Sequence, residues 1–152
     1  PERLERLVLV STSAGIEAAA ERQERLNGDL ALADRIEAES IGQFAQSWLD
    51  GPLFRDDGPI VNAAARKEIE KNSPAGLACA LRNLSVGRME PLWDRLPEIS
   101  APTTVVAGEL DQRYLALAQR LSGQISGSDL AIIERAGHAI PRSAPERLAA
   151  LF

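Results

Sequence analysis

Hydrophobic and polar positions in this chain follow two different grammars. Leu7-Val8-Leu9-Val10 is a compact apolar run bounded by Ser11-Thr12-Ser13-Ala14-Gly15, as expected for a strand buried on both faces of a parallel sheet. From there to Ser100-Ala101-Pro102 the pattern is helical. Ile16 to Leu26 is rich in Ala and Glu, and Asp29 is placed to cap a long segment through Ala31, Ala33, Ile36, Ile41, Phe44 and Trp48, bent at Gly42 and ended by Asp50-Gly51-Pro52. Asp56-Asp57-Gly58-Pro59 breaks the chain before a helix over Ile60 to Lys71, and Ser73-Pro74 reads as an N-cap with a first-turn proline for Ala75 to Leu84.

Beyond Pro102 strand and helix alternate. Thr103 to Ala107 predicts a strand, Tyr114 to Leu121 a helix, Leu130 to Glu134 a strand and Pro145 to Phe152 a helix, with capping-box spacing in Ser143-Ala144-Pro145-Glu146. The fold class is therefore α/β: parallel strands flanked by helices, with a helical insertion. The expected organisation is a strand and turn over residues 1–15, a helical cap over 16–100, and a strand-helix-strand-helix core over 101–152. Three strands make a small parallel sheet, so the chain is expected to complete a sheet begun elsewhere.

Composition narrows the function classes. The chain has 152 residues, 45% hydrophobic and 26% charged, as in a globular protein, and no apolar run is long enough to span a bilayer. The opening Pro1-Glu2-Arg3-Leu4-Glu5-Arg6 lacks the order of a secretory signal, so a cytoplasmic location is expected. Net charge is −5 and the basic residues are scattered, which argues against nucleic acid as a partner. One histidine and one cysteine argue against a zinc site. Cys79, within Leu77-Ala78-Cys79-Ala80-Leu81, is expected to pack as a small buried hydrophobe.

The candidate chemistry lies after two of the strands. Asp111 in Gly108-Glu109-Leu110-Asp111 and His138 in Ala136-Gly137-His138 would project from strand carboxyl ends, where open α/β sheets carry their reacting groups. There a carboxylate can hold an imidazole in one tautomer while the imidazole shuttles a proton for a nucleophile. The plainer alternatives are that Asp111 only caps the next helix and that His138 is a loop residue without a task.

These motifs also carry a resemblance. Gly108-Glu109-Leu110-Asp111 with Arg113-Tyr114, and Arg135-Ala136-Gly137-His138 followed by Pro145, are similar to the acid and histidine motifs of the α/β-hydrolase superfamily. Leu7 through Ile16, Glu24-Arg25-Leu26, Phe44 through Trp48 to Pro52-Leu53-Phe54, Asn72 through Ala78, and Pro91-Leu92-Trp93 resemble in order the sixth strand, cap and cap exit of one family. That family is the 2-succinyl-6-hydroxy-2,4-cyclohexadiene-1-carboxylate synthases of menaquinone biosynthesis, and the similarity covers essentially the whole chain.

The resemblance implies a lyase that removes pyruvate from an anionic small-molecule substrate, with a Ser-Asp-His triad under a helical lid and no cofactor. It implies Asp111 and His138 as the acid and histidine, and Arg25 and Trp48 as cap residues that bind substrate. Two positions depart from the family pattern. A further cap arginine is replaced by Glu68-Ile69-Glu70-Lys71, with Arg66 the candidate substitute, and Pro141 and Ser143 stand where the family often has His and Glu.

No G-x-S-x-G nucleophile turn with both glycines occurs. Ser13 in Ser11-Thr12-Ser13-Ala14-Gly15 has the right chain order, but a strand-exit turn into the cap is the preferred reading. The nucleophilic serine is expected upstream of Pro1, with association of the chain with that half or with itself. A small-molecule esterase of the same fold, and a non-catalytic α/β binding module, are the competing functions.

Overall fold

A computed structural model describes residues 4–54 and 57–152. The chain divides into two compact units, one of Pro1–Ala14, Pro52–Val61 and Leu92–Phe152, the other of Gly15–Gly51 and Asn62–Pro91.

The first unit holds the sheet. Strands β1 (Leu7–Val10), β2 (Thr103–Gly108) and β3 (Asp129–Ile133) are parallel, in the order β1-β2-β3, with Leu7 opposite Thr103 and Val105 opposite Leu130. Alternation of side chains along each strand sends them to two cores. Leu9, Val105 and Ala107 pack with Trp93, Leu96, Leu121 and Ile125 on one face, while Val8, Val10, Val106, Ala131 and Ile133 pack with Ala136, Ile140 and Leu148 on the other. β1 differs from the expectation of full burial. All four of its residues are half-buried, because among the described residues β1 pairs with β2 alone and forms an edge.

Helix α5 (Gln112–Gln124) connects β2 to β3, and the Arg120 guanidinium lies 3.7 Å over the Trp93 ring. After β3 come a short helix that the sequence pattern did not predict, α6 (Ile140–Ser143), and then α7 (Pro145–Ala149). The capping box expected at Ser143 does not form. Ser143 is still helical in α6, so its hydroxyl donates back to the Ala139 carbonyl at 3.2 Å, and the N-cap of α7 is Ala144, with no side-chain bond.

The second unit is built from α1 (Ala19–Ala38), α2 (Ile41–Leu49), most of α3 (Pro59–Ile69) and α4 (Pro74–Leu84). The helix start expected at Asp29 is absent: α1 runs straight through it. Asp29 is buried, and its carboxylate is engaged by Arg25 one turn earlier and by Ser85, so it does not compete for backbone N–H groups. The break falls at Ser40. Its hydroxyl accepts the Gln43 N–H and the Gln43 side chain accepts the Ser40 N–H at 3.0 Å, a complete capping box for α2. Ser40→Ala should therefore cost about 1 kcal/mol, read as a lowered urea midpoint at unchanged slope.

Of the chain break predicted at Asp56-Asp57-Gly58-Pro59, Asp56 lies outside the described residues; α3 starts on Pro59, where a fixed φ and a missing N–H cost little. The start of α4 agrees with the sequence pattern: Ser73 accepts the Gly76 N–H at 3.1 Å and Pro74 occupies the first turn. Cys79 is exposed rather than buried, because α4 turns Ala78 inward and its neighbour outward. Arg82 of α4 pairs with Asp34 and Glu37 of α1 at 2.7 Å each, and its guanidinium holds the Glu37 carboxyl below the ordinary range. A Cβ at Gly87 would lie 2.6 Å from the Arg22 carbonyl oxygen, so only glycine allows this approach to α1. Among the described residues no helix is long and apolar enough to cross a membrane.

Candidate active site

Two loops leave the carboxyl ends of β2 and β3, and backbone bonds tie them together. Glu109 N–H donates to the Ile133 carbonyl and Leu110 N–H to the Ala136 carbonyl, each at 3.0 Å, while the Glu109 carboxylate accepts the Arg135 N–H at 2.8 Å. Arg135 has φ 56°, a left-handed conformation that a non-glycine residue keeps only where its surroundings impose it. Gly108 lies at the closest approach. A Cβ there would sit 2.2 Å from the Gly137 carbonyl oxygen and 2.4 Å from that of Ala136.

This scaffold brings Asp111 and His138 together. His138 Nδ1 is 2.7 Å from Asp111 Oδ2, and Asp111 Oδ1 accepts the Tyr114 N–H at 3.2 Å at the start of α5. The capping role and the pairing role are therefore not alternatives; one oxygen serves each. The Asp111 side chain is 6% exposed and that of His138 20%, so their bond is shielded from competing water. With Nδ1–H donated to the carboxylate, neutral His138 has its lone pair on Nε2, the arrangement of a general base.

Further contacts fix the histidine loop. The Tyr114 ring packs against the imidazole at 4.5 Å between centroids, and Phe54 meets it edge-on at 5.9 Å. Ser11, itself at φ 43°, donates its hydroxyl to the His138 carbonyl at 3.2 Å. The buried Asp57 carboxylate accepts the Ala139 N–H at 3.2 and 3.3 Å. Neither Ser11 nor Asp57 is identifiable from the sequence as a support for His138, since the contacts span 127 and 82 positions. After Val10 the chain stays non-helical until Ala19, so the sharp strand-to-helix turn of a nucleophile elbow does not occur at Ser13.

The other candidates lie in the helical unit. Arg25 and Trp48 line one cavity of about 410 Å³, whose walls are otherwise mostly apolar and include Ile36, Phe44 and Leu81. Phe44 and Trp48 stack at 5.8 Å between ring centroids. Arg25 Nε contacts both Asp29 oxygens at 2.9 Å. Arg66 is not among the residues lining this cavity. Its guanidinium bonds Glu70 Oε1 at 2.8 Å, Gln46 Oε1, and the Gly42 carbonyl at 3.5 Å.

No protein-family model matches the chain. It is 32% identical over 143 residues to a putative 2-succinyl-6-hydroxy-2,4-cyclohexadiene-1-carboxylate synthase of Bacillus subtilis, covering 92% of this chain and 52% of that protein. The solved structure of MenH from S. aureus superposes with a TM-score of 0.92 at 32% identity, covering 97% of this chain and 57% of that one. A thermophilic esterase from Thermogutta terrifontis superposes with a TM-score of 0.81 at 25% identity, over 98% and 54%. The fold is thus the carboxy-terminal part of an α/β-hydrolase fold, and the chain spans about half the length of the relatives it matches.

Proposed function

We propose that this chain is the acid- and base-bearing half of a cytoplasmic α/β-hydrolase-fold enzyme that eliminates pyruvate to form 2-succinyl-6-hydroxy-2,4-cyclohexadiene-1-carboxylate. The observation that carries the reading is the 2.7 Å contact between His138 Nδ1 and Asp111 Oδ2 at the ends of adjacent parallel strands. The similarity to synthases over 92% of the chain supplies the reaction class. A serine in the remainder of the protein would be the nucleophile or proton relay. His138 Nε2 takes its proton, and Asp111 stabilises the imidazolium that forms. The sheet would be completed across the open edge of β1 by that remainder.

In this reading the helical unit is the lid, with Arg25 and Trp48 contacting an anionic substrate. Guanidinium suits carboxylate through paired N–H donors, and Trp48 offers an apolar ring in the same cavity. Arg66 donates to Gln46 and Gly42 of α2 and to Glu70 just after α3, and in this reading braces those helices rather than lining the cavity. No cofactor is required.

The structural likeness to an esterase supports a second reading, hydrolysis of a small ester by the same pair. Turnover by the full-length protein separates the two. Pyruvate release from the succinyl-bearing cyclohexene carboxylate, followed by a coupled dehydrogenase, is the expected result. Efficient hydrolysis of aryl esters without pyruvate release would replace the synthase by the esterase.

A further inference from the structure

The least expected group in the helical unit is the carboxylate of Asp29. It sits in the middle of α1, its side chain is 7% exposed, and it lines the same cavity as Arg25 and Trp48. Burying a carboxylate is costly, and a buried ion pair is often no more stabilising than well-packed apolar side chains in its place. Stability alone therefore does not account for an acid at this point. Its bonds show what it does hold. Both oxygens contact Arg25 Nε at 2.9 Å, and Oδ2 accepts the hydroxyl of buried Ser85 at 2.6 Å. Ser85 is itself fixed, accepting the Gly87 N–H at 3.1 Å.

Because Asp29 takes the Nε–H, the two terminal amino groups of Arg25 bond to nothing among the described residues. Four N–H donors thus remain on a guanidinium anchored at its inner nitrogen, in a side chain that lines the cavity and is 44% exposed. An unanchored arginine loses substantial rotamer freedom when it clamps an anion, and pre-organisation removes part of that loss.

We infer that Asp29, held by Ser85, is a positioning residue that aims the Arg25 guanidinium at a carboxylate of the bound substrate. The inference rests on the reading of Arg25 as a substrate-binding residue. Two effects of Asp29 oppose each other: it orders Arg25, and its own charge weakens the attraction for an anion. The inference requires the ordering to win.

The test uses the full-length enzyme with Asp29→Asn, Asp29→Leu, Ser85→Ala and Arg25→Ala. Benzylsuccinate, a dicarboxylate with an apolar arm, serves as a calorimetric binding probe alongside steady-state kinetics. Asp29→Asn and Asp29→Leu should each raise KM and the probe Kd about tenfold with kcat nearly unchanged, the signature of lost uniform binding. Ser85→Ala should give a smaller loss, about threefold. Combining Asp29→Asn with Arg25→Ala should add little to Arg25→Ala alone, since both remove one interaction. Asp29→Leu leaves Arg25 and the buried Ser85 hydroxyl without their partner and should melt lower, so binding is compared well below the melting temperature, where a role confined to support of the fold would leave KM and Kd unchanged. If Arg25→Ala weakens binding but the Asp29 variants bind as well as wild type or more tightly, the positioning role is overturned while the Arg25 reading stands. If Arg25→Ala itself changes neither KM nor Kd, the reading beneath it falls, and the inference with it.

Discussion

Asp111→Asn and His138→Ala in the full-length protein should each lower kcat by about ten-thousand-fold while leaving the fold intact. Asparagine is the informative replacement at 111. Its side-chain oxygen can still accept the Tyr114 N–H that starts α5, since Asn caps helices as well as Asp. What it loses is the charge opposite His138 Nδ1. An amide donor there would favour the tautomer with the proton on Nε2, where no base remains. Asp111→Ala removes both bonds and should add about 1 kcal/mol of destabilisation to the kinetic loss. A melting scan beside the activity assay separates the two contributions. Unchanged turnover in Asp111→Asn and His138→Ala would instead support a non-catalytic module.

Gly108→Val should be the most damaging single change to the sheet unit, costing at least about 3 kcal/mol. The atoms that a side chain would meet are the carbonyl oxygens of Gly137 and Ala136, at 2.2 and 2.4 Å from a Cβ. These are backbone atoms, and they cannot swing aside as the end of a flexible side chain could. Nor can the loop retreat without breaking the Leu110 to Ala136 and Glu109 to Ile133 bonds. Since the same loop carries His138, Gly108→Ala should lose activity at temperatures where the protein is still folded. A Gly108→Ala urea midpoint equal to that of wild type would mean that the two loops are less rigidly joined than their bonds imply.

The parts of this architecture that rest on local pattern are legible in the chain. β1, β2 and β3 coincide with the apolar runs, and Ser73-Pro74 starts α4 as its chemistry demands. Asp111 and His138 could be placed on neighbouring loops because a strand and a helix of ordinary length separate them. Other features depend on partners distant in sequence. Asp29 reads as a cap until Ser85, 56 positions later, is known to hold it. Asp57 reads as part of a turn until its carboxylate meets the Ala139 N–H. Cys79 reads as core because its neighbours are apolar, yet the rotation of α4 decides which of them faces inward. The shared cavity of Arg25 and Trp48 needs four helices to assemble, and no spacing along the chain encodes it.

The pairing of Leu7 with Thr103 has a consequence for how the protein comes to be folded. Joining β1 to β2 closes a loop that contains the whole of α1 to α4, whereas the hydrogen bonds within each helix join near neighbours in sequence. Local contacts form quickly, and long closures pay their entropy before any strand bond rewards them. The helices should thus acquire structure first, with the edge of Leu7 to Val10 that pairs with β2 left open until Thr103 to Gly108 has been synthesised. During that interval this edge is open to mispairing with other chains, so refolding yield should fall as protein concentration rises. The order of events is set by the helical stretch of chain that separates β1 from its partner β2.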